Sequence, residues 1–511
     1  MHPRCKAMSL AGLVPALAIA ATVAAVPASA ASRRAPHIGS DRLVNAVVVV
    51  RSGVTLPLRV PGGRVLAQFA HVGSELVRAP MSVLAALAAD PRVAGVSPDR
   101  PGRVMGHDYS GDNDKGNGHG SRPDSVFASD GLGNDAGRSD TGRGVNVALL
   151  DTGVSDTAAL NRASGRITDG VDVSHLASGG AARTSGQFTD GYGHGTFLAS
   201  LIAGGRVTGS GGQALGVAPA ARIVVVKVAD DDGITSLSQV LAGMDWVASH
   251  ARAIQVVNLA LAVDRPTAPA YGADPLTAAV EHVRATGVLV VAAAGNTPGQ
   301  VGDPGMDPQA LTVGAADLTS RSQPVASFSG SGVVAGVAKP DLVASGVHLL
   351  GLLAPDSAIA RANPSGWQSN GLFRGSGTSE STAVAAGVAA AWFSDHPGAA
   401  PLTAKTALRN TAVGGGRSNP RAGAGLVQLA NGNGHGNDGR SGDSGESGFD
   451  STTWQANAWQ QGNWASWLAS SWSGPAWTAS SWSASSWSAS SWSASSWSAS
   501  SWSDYGWGDD G

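Results

Sequence analysis

Residues 145–154 read VNVALLDTGV. A run that is aliphatic apart from Asn146 suits a strand buried on both faces. It ends at Asp151 on a glycine-bearing corner. An acid held at the end of a rigid buried strand is placed to act, whereas the same residue in a free turn would be ordinary. Three more apolar runs follow: ARIVVVKV (221–228), IQVVNLALA (254–262) and GVLVVAAAG (287–295). Helix-like stretches separate them, SLSQVLAGMDWVASHA (236–251) and DPLTAAVEHVRATG (274–287). This alternation predicts an α/β fold over about residues 141–430, with a mostly parallel central sheet covered on both faces.

Three more corners carry residue types suited to one chemistry. RGSGTSESTAVAAG (374–387) sets Ser379 on a bare, glycine-rich turn before an alanine-rich helix. A serine hydroxyl is a poor nucleophile until a base takes its proton, and that base must be oriented by a third group. DGYGHGTFLASLIAG (190–204) places His194 between two glycines at the start of an apolar helix, whose dipole favours the neutral imidazole that a base needs. GVLVVAAAGN ends at Asn296, whose side-chain amide could donate to a developing oxyanion. Each feature alone has an ordinary explanation as a turn or surface residue; in the order Asp, His, Asn, Ser they specify a nucleophilic serine site.

These segments resemble the subtilisin-like serine proteases (subtilases, peptidase family S8). VALLDTGV, GHGTFLASLIAG and GSGTSESTAVAAG are similar to the family's Asp, His and Ser motifs, and GVAPAARIVVVKV (216–228), LTVGAAD (311–317), KPDLVASG (339–346) and AGAGLVQLA (422–430) are similar to family core segments. The chain order matches subtilisins and not chymotrypsin or the α/β-hydrolases, which disfavours a lipase or esterase. The resemblance implies a subtilisin-like three-layer α/β fold and a secreted serine endopeptidase acting on polypeptides. It implies Asp151, His194 and Ser379 as triad, with Asn296 and the Ser379 N–H as oxyanion donors. Leu259, Ala260 and Ala262 would line the substrate cleft, the two alanines narrowing the first specificity pocket with their methyl groups. No cofactor is required; structural calcium is common in the family, but no ligands can be placed.

The departures are specific. Glu380 and Ser381 stand where the family has Met-Ala, Ala383 where it has Pro, Phe197 where a second His is frequent, and NLALA (258–262) where it has Asn-Met-Ser-Leu-Gly. Glu380 falls in the first turn of the Ser379 helix, where an acid stabilises by roughly 0.3–1 kcal/mol. It is expected to point away from the cleft, since successive helical side chains diverge by about 100°. These departures keep open an alternative, a catalytically inactive subtilase-fold protein used for binding or surface scaffolding.

The flanks read as follows. Arg4 and Lys6, an apolar stretch over about 10–26 and Ala28-Ser29-Ala30 form a secretory signal peptide, residues 1–30. The single cysteine, Cys5, lies inside it, which excludes a cysteine protease. A second DTG begins at Asp140 but follows no apolar run, which disfavours the two-lobed aspartic proteases. Residues 31–104 contain a strand (45–50), a helix (81–90) and a second strand (92–98); this small α+β unit is similar to the family's inhibitory propeptide. Residues 105–140 are rich in Gly, Asp, Asn and Ser and read as a linker leading into the mature enzyme. A formal net charge of -3 gives no reason to expect nucleic acid. After a Gly/Ser/Asp linker (431–450) comes a low-complexity tail (451–511) that holds twelve of the fifteen tryptophans. The preferred reading of the tail is attachment to a cell envelope or glycan, retaining the secreted protein at the bacterial surface. Disorder without a partner and a small β-solenoid stand beside it.

Overall fold

The computed structural model describes residues 42–105, 126–132, 141–264, 274–319, 325–334, 336–415 and 419–429. The expected signal peptide, residues 106–125 and 133–140 of the expected linker, the Gly/Ser/Asp linker and the tryptophan tail lie outside them.

A nine-stranded sheet forms the centre. Its spatial order is Val413–Gly414, Gly425–Leu426, Leu342–Ser345, Leu311–Ala316, Leu289–Ala293, Val256–Leu259, Asn146–Asp151, Arg222–Lys227, Ile167–Asp172. All neighbours are parallel except the two-residue strand at the Val413 edge. The strand ending in Asp151 is the first of the sheet in chain order, yet it lies inside it. Later strands add on either side, so the order reverses there, and the crevice at a reversal, outside the carboxyl ends, is where open α/β sheets build sites.

The burial pattern explains the layers. Along Asn146–Asp151, Val147 and Leu149 belong to one core cluster and Ala148 and Leu150 to the other. Strand side chains alternate faces, so both faces are apolar and both must be covered. Helices His194–Ala203 and Thr378–Asp395 cover the first face; Leu237–Ser249 and Pro275–Ala285 cover the second. Ser236 and Asp274 cap the latter two through their side chains. The chain therefore has the three-layer α/β fold with a mostly parallel sheet that its motifs imply.

The run at 254–262 is not one strand. Val256–Leu259 belongs to the central sheet, while Leu261–Val263 turns out to pair antiparallel with Pro101–Val104. An apolar run shows burial but not a change of sheet.

Residues 43–98 form a four-stranded antiparallel sheet, in the order Arg64–Phe69, Ser74–Pro80, Leu43–Val50, Val93–Pro98, with helix Met81–Ala88 on one face. The sequence reading missed Arg64–Phe69 and Ser74–Pro80, whose alternating or mixed polar residues carry no apolar run. The other face packs Val47, Phe69, Val72 and Leu76 against helices Leu237–Ser249 and Pro275–Ala285. Asp245 accepts from the backbone N–H groups of His71 (2.6 Å) and Val72 (3.3 Å) across this contact. Residues 126–132, within the segment expected to be linker and start of the mature enzyme, pack into the body built on the central sheet. Val126, Ala128 and Leu132 are buried in its core, and Leu132 O accepts from Leu429 N at 3.0 Å.

Beneath the sheet, Asp341 bonds Lys339 Nζ (2.7 Å) and Thr312 N (2.8 Å) and lies 3.3 Å from Lys405 Nζ. Burial opposes the charge on Asp341, but the two ammonium groups outweigh it and hold its pKa at about 2. Replacing it by Ala strands two buried cations and should cost about 3–5 kcal/mol, read as a drop in melting temperature. Its depressed pKa also sets a window: its contribution is full above an unfolded value of about 3.9 and is lost as pH falls toward 2. Thermal melts between pH 5 and pH 2 on wild type and Asp341→Asn should show the variant's acid loss to be shallower.

Candidate active site

Asp151 sits at the carboxyl end of its central strand, 1% exposed, and Thr152 N donates to its Oδ1 at 2.8 Å. His194 is the first residue of its helix and fully buried. Its Nδ1 lies 2.8 Å from Asp151 Oδ1 and 2.9 Å from Oδ2. A carboxylate there fixes the proton on Nδ1 and leaves Nε2 as a bare acceptor. Nε2 is buried and has no hydrogen-bond partner among the described residues.

The corner that presents this histidine needs glycine on either side. Gly193 has φ +111°, and a Cβ at Gly195 would lie 2.1 Å from Gly153 O. Asp190 anchors the same turn. It accepts from Gly193 N (2.6 Å), Thr196 N (2.7 Å), Thr196 Oγ1 (2.7 Å) and Thr152 Oγ1 (2.7 Å). One buried carboxylate thus ties the Asp151 corner to the His194 helix. Sequence reasoning missed Asp190 and Thr152, although both lie inside the quoted motifs; a buried acid satisfied by backbone donors looks like a turn residue in one dimension.

Ser379 is the second residue of helix Thr378–Asp395 and fully buried. Its Oγ donates to Met105 O (2.7 Å) and to Ala260 O (3.2 Å). Asn296 Nδ2 donates to the same Met105 oxygen at 2.9 Å. The orientation of that amide is set from the other side, because Asn296 Oδ1 accepts from Thr378 N (2.9 Å) and Thr378 Oγ1 (2.8 Å). The Ser379 amide, the other expected oxyanion donor, makes no hydrogen bond to the Met105 oxygen; the serine hydroxyl takes that place.

A peptide already lies in the cleft, and it is the chain's own. Pro101–Val104 runs antiparallel between Leu261–Val263 and Ile234–Ser236. Val104 N donates to Gly233 O (3.1 Å) and Met105 N to Ala260 O (3.2 Å). Met105, the residue after the expected boundary at 104, is held by the same neighbours as the strand. Asp99 accepts from Ser238 N (2.8 Å) and Oγ (2.7 Å), and buried Arg100 bonds Asp274 Oδ1 at 2.8 Å, so the approach to the cleft is pinned as well.

The residues expected to line the cleft divide. Ala260 serves through its carbonyl, while its methyl belongs to the core under the sheet. Ala262 packs its side chain, with Ala293, against Met105. Leu259 lies in the core on the opposite face and makes no part of the cleft wall, because strand alternation turns it away from Ala260. Among the described residues no group of three or more His, Cys, Asp or Glu is arranged to hold a metal ion, so no calcium site is assigned.

Glu380 is fully buried and not solvent-facing. A Cβ at Gly375 would come within 3.1 Å of its Oε1, which places the carboxylate beside strand Phe373–Gly375 and Phe197. Burial opposes the charged form of His194. The charge and hydrogen bond of Asp151 and the charges of Glu380 and Asp190 outweigh it, and the imidazole's pKa is raised.

The family profile of the subtilases (peptidase S8) matches residues 142–425. The chain is 33% identical over 287 residues to serine protease AprX of Bacillus subtilis, covering 54% of this chain and 62% of that protein. It is 36% identical over 290 residues to M-protease of Shouchella clausii, covering 56% of this chain and 63% of that protein. It is 35% identical over 290 residues to subtilisin Savinase of Lederbergia lenta, covering 56% and 90%. The chain thus spans less than two thirds of the length of the first two. The crystal structure of fervidolysin from Fervidobacterium pennivorans matches with TM-score 0.57 and 20% identity, covering 77% of this chain and 61% of that one, a likeness of fold. The chain belongs to the subtilase family.

A base must be neutral to accept a proton, so if His194 serves as one, activity should fall as pH drops through the raised imidazole pKa. The acid limb of kcat/KM should therefore lie above pH 6.5, the ordinary imidazole value. Glu380→Gln should move that limb to lower pH in a pH–rate profile on a peptide substrate.

Proposed function

We propose that this subtilase is a serine endopeptidase, made as a zymogen whose own N-terminal domain delivers a peptide into the cleft. The observation that carries the reading is the Met105 carbonyl, held by the Asn296 amide and the Ser379 hydroxyl, in a chain that also pairs buried Asp151 with His194 and leaves His194 Nε2 without a hydrogen bond among the described residues. The Asn296 amide stands where an oxyanion donor is needed, and Ser379 has to turn its proton from the Met105 oxygen to His194 Nε2 for Oγ to attack.

In the reaction His194 Nε2 takes the Ser379 proton as Oγ attacks the substrate carbonyl carbon. Asp151 stabilises the imidazolium, and Asn296 donates to the oxyanion. The tetrahedral species collapses, the C–N bond breaks, and the departing amine takes the proton from Nε2. Water, deprotonated by the same nitrogen, then attacks the acyl-enzyme and frees the acid. The substrates are polypeptides, bound as an added antiparallel strand, as Pro101–Val104 is. Met105 against Ala262 and Ala293 supports a first pocket for an apolar side chain.

The N-terminal domain inhibits by occupying this cleft until it is cut and leaves. Residues 1–30 direct secretion, and the tryptophan tail holds the enzyme to an envelope or glycan. Glu380, buried next to the nucleophile, favours a second reading, an inactive binding or surface-scaffold protein.

The two readings separate in one experiment. Residues 31–511 and the same chain with Ser379→Ala are followed by intact mass and fluorophosphonate labelling. Loss of the N-terminal domain and labelling in wild type alone is the expected result; no cut and no label in either chain supports the inactive reading. In a processed enzyme, Asn296→Ala should lower kcat by about 10²–10³-fold with little change in KM, a magnitude established on a subtilisin for one oxyanion donor.

A further inference from the structure

Resting on the endopeptidase reading, we infer that the cleft selects glycine at the fourth residue before the cut, and that Gly102-Arg103-Val104-Met105 is the chain's own recognition sequence for cleavage of the bond that follows Met105.

The register fixes the positions. Met105 supplies the carbonyl held by Asn296 and Ser379, so it is the first residue before the cut and Gly102 is the fourth. Gly102 is paired with Val263 on one side and Thr235 on the other. A Cβ added there would lie 2.7 Å from Ala262 O, 3.0 Å from Val263 Cγ2 and 3.1 Å from Thr235 Cγ2. The first of these distances is shorter than carbon and oxygen tolerate. The first obstacle is backbone, which no rotamer change can move. The other two belong to buried side chains in a close-packed wall.

Gly102 is not in the left-handed region, so its requirement is for space and not for backbone freedom. Shifting the strand outward would break the bonds that hold it, Leu237 N to Arg100 O (2.7 Å) and Asp264 N to Pro101 O (2.9 Å). The other positions make no such demand. Arg103 is half-buried, and buried Val104 packs into apolar surroundings. Met105 meets Ala262 and Ala293, and even a Cβ at Gly295 would stay 4.0 Å from its sulfur.

The step balances with water alone. Ser379 Oγ bonds to the Met105 carbonyl carbon while its proton passes to His194 Nε2. The bond to the next nitrogen breaks, and that nitrogen takes the proton. Water then replaces Ser379, leaving a carboxylic acid on Met105 and a free amine on the following residue.

The test uses the self-processed enzyme and p-nitroanilides of Pro-Gly-Arg-Val-Met, with Gly, Ala or Phe at the fourth position before the cut. Active sites are counted by fluorophosphonate labelling, and casein serves as an unselective substrate. Gly should exceed Ala in kcat/KM by about 10–200-fold, the range one methyl group can command in a closed pocket, and Phe should be worse. The variant Val263→Ala/Thr235→Ser, which removes both side-chain obstacles, should recover part of the Ala substrate's rate. Edman or mass analysis of the processed wild type should give Gly106 as the new N-terminus. Equal rates for Gly, Ala and Phe in an enzyme that labels and digests casein, or a new N-terminus elsewhere, overturn this inference and leave the endopeptidase reading standing. A chain that neither labels nor digests casein overturns both.

Discussion

The central sheet is buried on both faces, and that constraint places everything else. Two apolar faces leave little room for polar side chains along the strands, Asn258 and Thr312 being exceptions, and the candidate site residues lie at the strand ends. The strand Asn146–Asp151 enters the sheet first and is then flanked on both sides, which puts its last residue beside the point where the order reverses. The acid, the histidine helix and the serine helix meet there because two helices that cover the same face begin at the same end of the sheet. Burial supplies the low dielectric in which a few fixed dipoles and charges act strongly.

That environment also makes each polar group depend on its neighbours. Asp190 is satisfied by four donors from two segments, and Thr378 turns the Asn296 amide so that its N–H faces the cleft. Neither Asp190 nor Thr378 touches the Met105 carbonyl, yet each fixes a group on which the proposed chemistry relies, and a 1 Å error there is expensive. The negative charge gathered around His194 acts differently: it stabilises the protonated ring, so it favours the imidazolium of the transition state while delaying the neutral base to higher pH.

Much of this was legible in the residues. Apolar runs ending in Asp151 and Asn296, and glycine-flanked corners at His194 and Ser379, carry both the layer order and the approximate place of the site. What stayed hidden was whatever depends on a partner distant in sequence. The run at 254–262 serves two sheets because Pro101–Val104 arrives to pair with half of it. Residues 126–132 look like linker because three buried apolar residues are too few to mark a period. Leu259 and Ala260 differ in role only by strand alternation. Helical spacing turned Glu380 off the cleft but could not say that another strand and Phe197 would close over it. Gly102 looks like any loop glycine until the wall opposite it is known.

The N-terminal domain is held at two places, by its sheet face on two helices with Asp245, and by the strand Pro101–Val104 with Met105 after it. The proposed hydrolysis after Met105 would remove neither. The severed piece would keep these contacts, and each site of attachment would hold the other at high local concentration. Scission and unmasking would then be separate clocks: the first set by chemistry in the cleft, the second by how rarely both attachments let go together. Between the two ticks the molecule would be cut and still silent.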